Sequence, residues 1–405
     1  MDLTGGPAAA SAIVLKFGGA SFAAPGSHRL IARYVADRLS DGCSGTGTGT
    51  GAGAGAGGRA RAVVVVSAVA GETDRLSALV RSVSPDPDRD LLGTALMTGE
   101  TVNVALMTAA LRDAGLPALA LTAADTGFRG TGEPHHADLA EIDPAMLTKL
   151  AEPGQVLVIP GGQAIGPDGH PVMLGRNSSD LSAIAAAAAL GAPACEIFSD
   201  SPGICTADPH LVPDARTLAH LPYDMMITMS RHGAKVLHHS AVAWARTHGV
   251  DIRCRSLLPD GQLHSVVGDS AGDPVGDPVG GSAEPRQRET AARAPMPARG
   301  GAVVVHRTGV VWEGAAEQIR SAVKWVNGVG RSDGDVVVVP PAAGSAVAHL
   351  VVADALRDLS GLSLRRTDLR LVTTMFPDGR TDLRLVPASE VTAMAQAQHD
   401  LVIST

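Results

Sequence analysis

The chain has few aromatic residues, few cysteines and no long apolar run, and these shortages narrow what it can be. Three Trp, two Tyr and five Phe stand among 405 residues. Alongside abundant Ala, Gly and Arg, that is the composition of GC-rich coding and says little about function. The four cysteines (Cys43, Cys195, Cys205, Cys254) are widely spaced, with no CxxC pair and no Cys/His zinc spacing, which argues against a disulfide framework and a structural metal site. Reduced thiols in a cytoplasm are the expectation. No run of about 18 apolar residues occurs and no basic segment precedes an apolar stretch at the start, so neither membrane spanning nor secretion is expected. A formal net charge of −8 argues against nonspecific nucleic-acid binding, which needs clustered Lys and Arg. Small polar or anionic metabolites remain as ligands. With 45% hydrophobic and 18% charged residues, the chain can fold as two or three domains with a sizeable core.

Periodicity predicts alternating strands and helices as far as Ser256. Ala12 to Phe17 reads as a strand ending in Gly18 and Gly19, and Ser27 to Ser40 as a helix. Residues 42–58 are low-complexity Gly, Thr and Ala and are expected to form a surface loop. Ala60 to Ser67 is a β-branched run of the kind covered on both faces. A helix at Leu91 to Ala114, a strand at Ala118 to Thr122, a helix at Pro144 to Ala151 and a strand at Gln155 to Pro160 follow. A short strand, Pro171 to Leu174, leads into a helix, Leu181 to Leu190. The pattern predicts a mainly parallel sheet between helices. Residues 259–301, rich in Gly, Pro, Asp and Ser, read as a linker. Beyond it the sequence predicts strands at Ala302 to His306 and Asp335 to Val339 and helices at Ala315 to Val326 and Ala346 to Leu359. Two RTDLRLV copies flank Pro377-Asp378-Gly379, a hairpin turn. The expectation for 302–405 is a small α+β domain.

Several polar groups gather at strand ends, where open α/β sheets collect ligands. Lys16, with Gly18 and Gly19, would bring an ammonium and close backbone N–H groups to an oxyanion; standing alone, the motif reads sooner as an exposed lysine beside a turn. Arg176, Ser178, Ser179 and Asp180 stand where a strand meets a helix start, a natural anion site. Ser199 and Asp200 end the next apolar strand. Glu100 sits in an otherwise apolar helical segment, as a partnered carboxylate or as a charge on a solvated helix face. Ser67 to Asp74 is another strand-to-turn junction, and Lys235 adds a further cation. His135 with His136 and His238 with His239 lack the i, i+4 spacing of paired metal ligands and read as surface or packing residues. No metal-ligand set is expected from the protein itself.

Lys16 to Ser21 (KFGGAS), Val65 to Thr73 (VVSAVAGET), Gly99 and Glu100, Leu174 to Asp180 (LGRNSSD), Ser199 to His210 (SDSPGICTADPH), Tyr223 and Asp224, and Gly233 to Leu237 (GAKVL) come in the order found in aspartokinases. Over residues 12 to 257 the chain resembles that branch of the amino acid kinase family. The resemblance implies a three-layer α/β/α catalytic domain over 1–258 and transfer of the γ-phosphoryl of ATP, with Mg2+, to the side-chain carboxylate of aspartate or a close analogue. It implies that Lys16 and Asp180 are catalytic, that Ser67, Thr73, Glu100, Arg176 and Ser179 hold the amino acid, and that Lys16, Gly18, Gly19, Ser199, Asp200, Cys205, His210 and Lys235 meet the nucleotide. It further implies a homodimer and an ACT-like C-terminal domain, although the tail is short for the usual pair and lacks a MISTSE-like signature. The chain departs from the family pattern where GRGGSD becomes GRNSSD, where Gly162 follows Gly161 in place of Phe, and at Pro202, Cys205, His210, Met225 and Thr228. These departures leave two other readings open: a specialised kinase for a different acid, and a noncatalytic binding homologue.

Overall fold

The computed structural model describes residues 12–41, 60–175, 178–201, 203–257, 264–269, 300–306, 309–328, 336–341, 344–352 and 359–404. The 42–58 loop, most of the 259–301 linker, Arg176 and Asn177 therefore lie outside the described residues. The chain divides into two compact units, with 12–200 and 247–253 in the first and the remaining described residues in the second.

The first unit begins with β1 (Ala12–Phe17), α1 (Ser27–Asp41), β2 (Arg61–Val66), α2 (Glu72–Val83), α3 (Arg89–Asp113), β3 (Ala118–Ala120), β4 (Phe128–Glu133) and β5 (His136–Ile142). It continues through α4 (Pro144–Leu150), β6 (Val156–Pro160), β7 (Gln163–Ile165), β8 (Pro171–Met173), α5 (Ser179–Ala189) and β9 (Ala194–Ser199). Its main sheet runs β9-β1-β2-β6-β3, and every pairing is parallel. Val63, Val64, Val65 and Val66 are all 0% exposed. Such β-branched runs suit a strand covered on both faces, each buried Val contributing about 1.5–2 kcal/mol. Helices α1, α2 and α3 pack together, as do α4 and α5, and with the sheet they form the α/β/α layers. Helix α5 lies close to β1 and β9 because its inner face is alanine: Ala183, Ala185, Ala186 and Ala187 are fully buried. Asp143 caps α4 by accepting from Ala145 N at 3.0 Å, with Pro144 in the first turn.

A second, small sheet, β5-β4-β7-β8, also belongs to this unit. Periodicity passes over it because its strands are short, glycine-interrupted and exposed on one face, as in FRGTGE at 128–133. The strand expected at Ala118 to Thr122 ends at Ala120, since Thr122 caps the following turn together with Asp125.

The second unit carries β10 (His220–Leu221), α6 (Tyr223–Arg231) and most of α7 (His239–His248), followed by β11 (Asp251–Ser256), whose first residues belong to the first unit, and β12 (Ser265–Val267). Strand β12 lies within the segment read as a linker and pairs in parallel with β10. Next come β13 (Ala302–Val305), β14 (Val310–Ala315), α8 (Ala316–Gly328), β15 (Val336–Val339), β16 (Val347–Val352), β17 (Arg365–Arg366), β18 (Leu369–Met375), β19 (Thr381–Pro387) and α9 (Val391–Ser404). They form two antiparallel sheets, β15-β16-β14-β17 and β13-β18-β19. Ile319, Ala322 and Val326 of α8 fill the core of the first with Val310, Trp312 and Leu350; Val391, Ala395 and Val402 of α9 do so in the second with Val303, Val305, Val372 and Val386.

The helix expected over Ala346 to Leu359 is instead strand β16 across Val347–Val352, while 353–358 lie outside the described residues. The valine-rich run VAHLVV suits a strand between two neighbours, and β14 and β15 supply both. The RTDLRLV copies form the expected hairpin: Phe376 N donates to Arg380 O at 2.9 Å, and Gly379 takes a φ of 85° in the turn.

Candidate active site

Parallel pairing brings the carboxyl ends of β1, β2, β6 and β9 to one edge of the first unit's sheet. Lys16, next to last in β1, is 9% exposed, and Asp180, in the first turn of α5, is 5% exposed. Lys16 Nζ lies 2.7 Å from Asp180 Oδ1. Among the described residues Asp180 Oδ1 has no further hydrogen-bond partner, so the ion pair to Lys16 is what compensates its burial. An acid in the first helical turn also complements the positive helix end. Gly18 N donates to Phe198 O at 3.2 Å, tying the turn after β1 to β9. At Gly19 a Cβ would stand 2.7 Å from Ala68 O, so only glycine lets the two turns approach this closely.

Ser67 follows β2 and donates through Oγ to Ser179 Oγ at 2.9 Å. Ala68 N donates to Glu100 Oε1 at 3.2 Å. Glu100 is therefore a partnered carboxylate. Burial, the largest influence, raises its pKa to about 6, against the lowering effect of hydrogen bonds that include Ala68 N–H and the Gln163 amide. Gln163 itself donates to Met97 O at 2.8 Å. Thr73 is half-buried in the first turn of α2. Lys16, Ser67, Ser179 and Asp180 are thus brought together, with Glu100 joined through the turn after β2. Ser199 is half-buried and Asp200 exposed at the end of β9. Arg176 lies outside the described residues; Ser178 Oγ donates to Gly175 O at 2.7 Å.

Three nucleotide-side expectations fall in the second unit. Cys205 is half-buried and forms an isolated bridge with Thr217, and burial raises its thiol pKa. His210 is exposed, its N–H donating to Asp208 Oδ1 at 2.9 Å, and Lys235 is exposed. Among the described residues no group of three or more His, Cys, Asp or Glu could hold a metal ion. His135 pairs with Asp90 at 3.0 Å, the His136 ring lies against Gly175, and His238 and His239 rest against each other with ring centroids 4.2 Å apart.

Sequence reasoning missed Asn103, Gln163 and Ser182. Asn103 is fully buried and donates to Ser67 O at 2.7 Å; Ser182 Oγ accepts from Gly162 N at 2.9 Å. The available signal was spacing, since Asn103 follows Glu100 by three residues and shares its helix face.

The model of the amino acid kinase family matches residues 11–256. An aspartokinase of Thermus thermophilus is 42% identical over 193 residues, 48% of this chain and 48% of the relative. An aspartokinase of Mycolicibacterium smegmatis is 34% identical over 249 residues, 61% of this chain and 55% of the relative. The chain spans about half the length of the curated relatives it matches. E. coli aspartokinase III, solved in complex with aspartate and ADP, superposes with a TM-score of 0.69 at 16% identity, covering 97% of this chain and 100% of that one, a likeness of fold. With the family model matching well over half of its length, and the parallel sheet bearing the Lys16 and Asp180 pair at its carboxyl edge, the chain belongs to the amino acid kinase family.

Proposed function

We infer that the chain transfers the γ-phosphoryl group of MgATP to the side-chain carboxylate of aspartate, giving an acyl phosphate and ADP. The observation that carries this reading is the buried Lys16 and Asp180 pair at a strand end, in a chain 42% identical to an aspartokinase over 193 residues. The acceptor carboxylate is already ionised near neutral pH, so no strong base is needed, and catalysis rests on positioning and charge neutralisation. Lys16 neutralises charge on the transferring group, and Asp180 holds Lys16 in place. Glu100 faces the α-ammonium of the amino acid and Arg176 its α-carboxylate, while Ser67, Thr73 and Ser179 complete the amino acid's surroundings. Gly18, Gly19, Ser199 and Asp200 are the residues of the first unit assigned to the nucleotide.

Magnesium enters as part of the nucleotide substrate, since it keeps several waters and binds chiefly through phosphate oxygens. Residues 1–258 form the catalytic domain in this reading, 259–301 connect it onward, and 302–405, with two helix-backed antiparallel sheets, act as an ACT-like module. A cytoplasmic homodimer completes it. No helix among the described residues is long and apolar enough to cross a membrane.

The test incubates purified protein with MgATP, hydroxylamine and a panel of carboxylic amino acids. Aspartate hydroxamate with equimolar ADP is expected. A hydroxamate from another acid alone transfers the reading to that acceptor, and ATP binding without ADP formation sinks it.

A further inference from the structure

The reading above gives no role to the fully buried amide of Asn103, which makes two hydrogen bonds beside the proposed substrate residues. Its Nδ2 donates to the main-chain oxygen of Ser67 at 2.7 Å, and its Oδ1 lies 2.7 Å from Nε2 of His28, in the first turn of α1. A carbonyl oxygen can only accept, so the Asn103 NH2 must face Ser67 and its oxygen must face His28. His28 is therefore the donor and carries its proton on Nε2. The same peptide unit is held on its other side, because Ala68 N donates to Glu100 Oε1 at 3.2 Å. A peptide group is planar, so one turn of α3, through Glu100 and Asn103, grips the Ser67–Ala68 plane by its N–H and its C=O together.

We propose that His28 and Asn103 form a positioning pair that fixes the Ser67–Ala68 peptide plane, thereby setting both the Ser67 hydroxyl and the Glu100 carboxylate for the acceptor amino acid. The inference rests on the assignment of Ser67 and Glu100 to amino acid binding. An Asn103 side chain left without its His28 donor would keep a buried, unsatisfied oxygen and be free to turn away. The peptide plane would then tilt, and the two groups facing the acceptor would shift together. Of the residues assigned to the nucleotide, Gly19 packs against Ala68 O, so the effect falls chiefly on the acceptor and to a smaller degree on the nucleotide.

Three measurements on the full chain decide the matter. His28→Phe keeps a ring at the contact with Phe22, now at a centroid distance of 4.8 Å, but removes the donor; the KM for the acceptor is expected to rise about three- to tenfold, with a smaller change in the KM for ATP. His28→Gln restores an N–H donor and is expected to recover most of that loss. An unchanged acceptor KM in His28→Phe, or a His28→Gln enzyme equally impaired, overturns the proposal. The third measurement needs no turnover: 15N spectra of the ligand-free protein are expected to show His28 protonated at Nε2 and altered by Asn103→Leu, and a neutral ring protonated at Nδ1 overturns the pairing. Failure of the wild-type protein to phosphorylate any acceptor strikes the kinase reading instead, and the spectra still decide the His28 and Asn103 pair.

Discussion

Lys16 Nζ sits 2.7 Å from Asp180 Oδ1, joining the end of β1 to the first turn of α5 with both side chains nearly shielded from water. Removing one partner of such a pair strands the other charge at a cost of about 3–5 kcal/mol, whereas removing both can be close to neutral. Lys16→Met is therefore expected to lower the urea midpoint, and Lys16→Met/Asp180→Asn to regain much of that loss. Activity follows a different pattern. Both variants are expected to lose at least about a hundredfold in kcat, because each lacks the cation proposed to neutralise the transferring group. A double variant that regained turnover along with stability would remove Lys16 from the chemistry.

In the proposed reading Glu100 connects acceptor binding to pH. Burial raises its pKa to about 6, and only the carboxylate form attracts an ammonium group. The acceptor KM is expected to increase as pH falls through about 6 and to be nearly flat above it. Glu100→Gln is expected to raise the KM at neutral pH and abolish its pH dependence below 7. The same raised pKa means that the folded chain binds this proton more tightly than the unfolded chain, so Glu100 costs stability as pH rises from about 4.5 to about 6. A steep acceptor KM profile persisting in Glu100→Gln would assign the titration to another group.

Gly161 stands where β6 meets α5, and a Cβ there would collide with Ser179 Cβ and come 3.1 Å from Val66 O. Neither neighbour is the end of a flexible side chain. Gly161→Ala is expected to cost about 1–3 kcal/mol through overpacking and to displace Ser179 from Ser67, raising the acceptor KM more than the KM for ATP. Equal changes in both constants would argue for a general loosening of the strand ends.

Histidines of the second unit act on stability in the opposite direction from Glu100. Burial lowers the pKa of His239 and His306 to about 4, with smaller contributions from neighbouring positive groups. The unfolded chain then binds more protons between about 4 and 6.5, and stability is lost as pH falls through that window. Each of the two is expected to contribute about 1 kcal/mol of loss between pH 7.5 and pH 5.5. Urea titrations of the wild type and of His306→Gln at those two pH values measure it, and the variant should lose less on acidification. An identical loss in both would mean that His306 does not titrate differently on unfolding.

Much of the first unit was legible in the sequence because its signals are local. RAVVVV at 61–66 and VLVIP at 156–160 have no polar face and suit strands covered on both sides. Lys16, Ser67 and Asp180 stood out as polar groups at the junctions these strands create. The 346–352 segment was misread because a short apolar run bearing alanines fits either period, and the choice fell to the two antiparallel partners β14 and β15. The small sheet β5-β4-β7-β8 escaped for a related reason: it joins residues near 130 to residues near 170 through pairings that no local pattern announces.

By itself, then, the sequence determined the alternation of strands and helices, the glycine turns and the chemical types at the strand ends, all of which depend on neighbours a few residues apart. Only the tertiary structure decided that Lys16 meets Asp180, that Glu100 takes its hydrogen bond from Ala68, and that Asn103 grips the peptide after β2. Those contacts join residues far apart along the chain, and they form because parallel pairing and helix packing bring the ends of separate elements to one edge of a sheet.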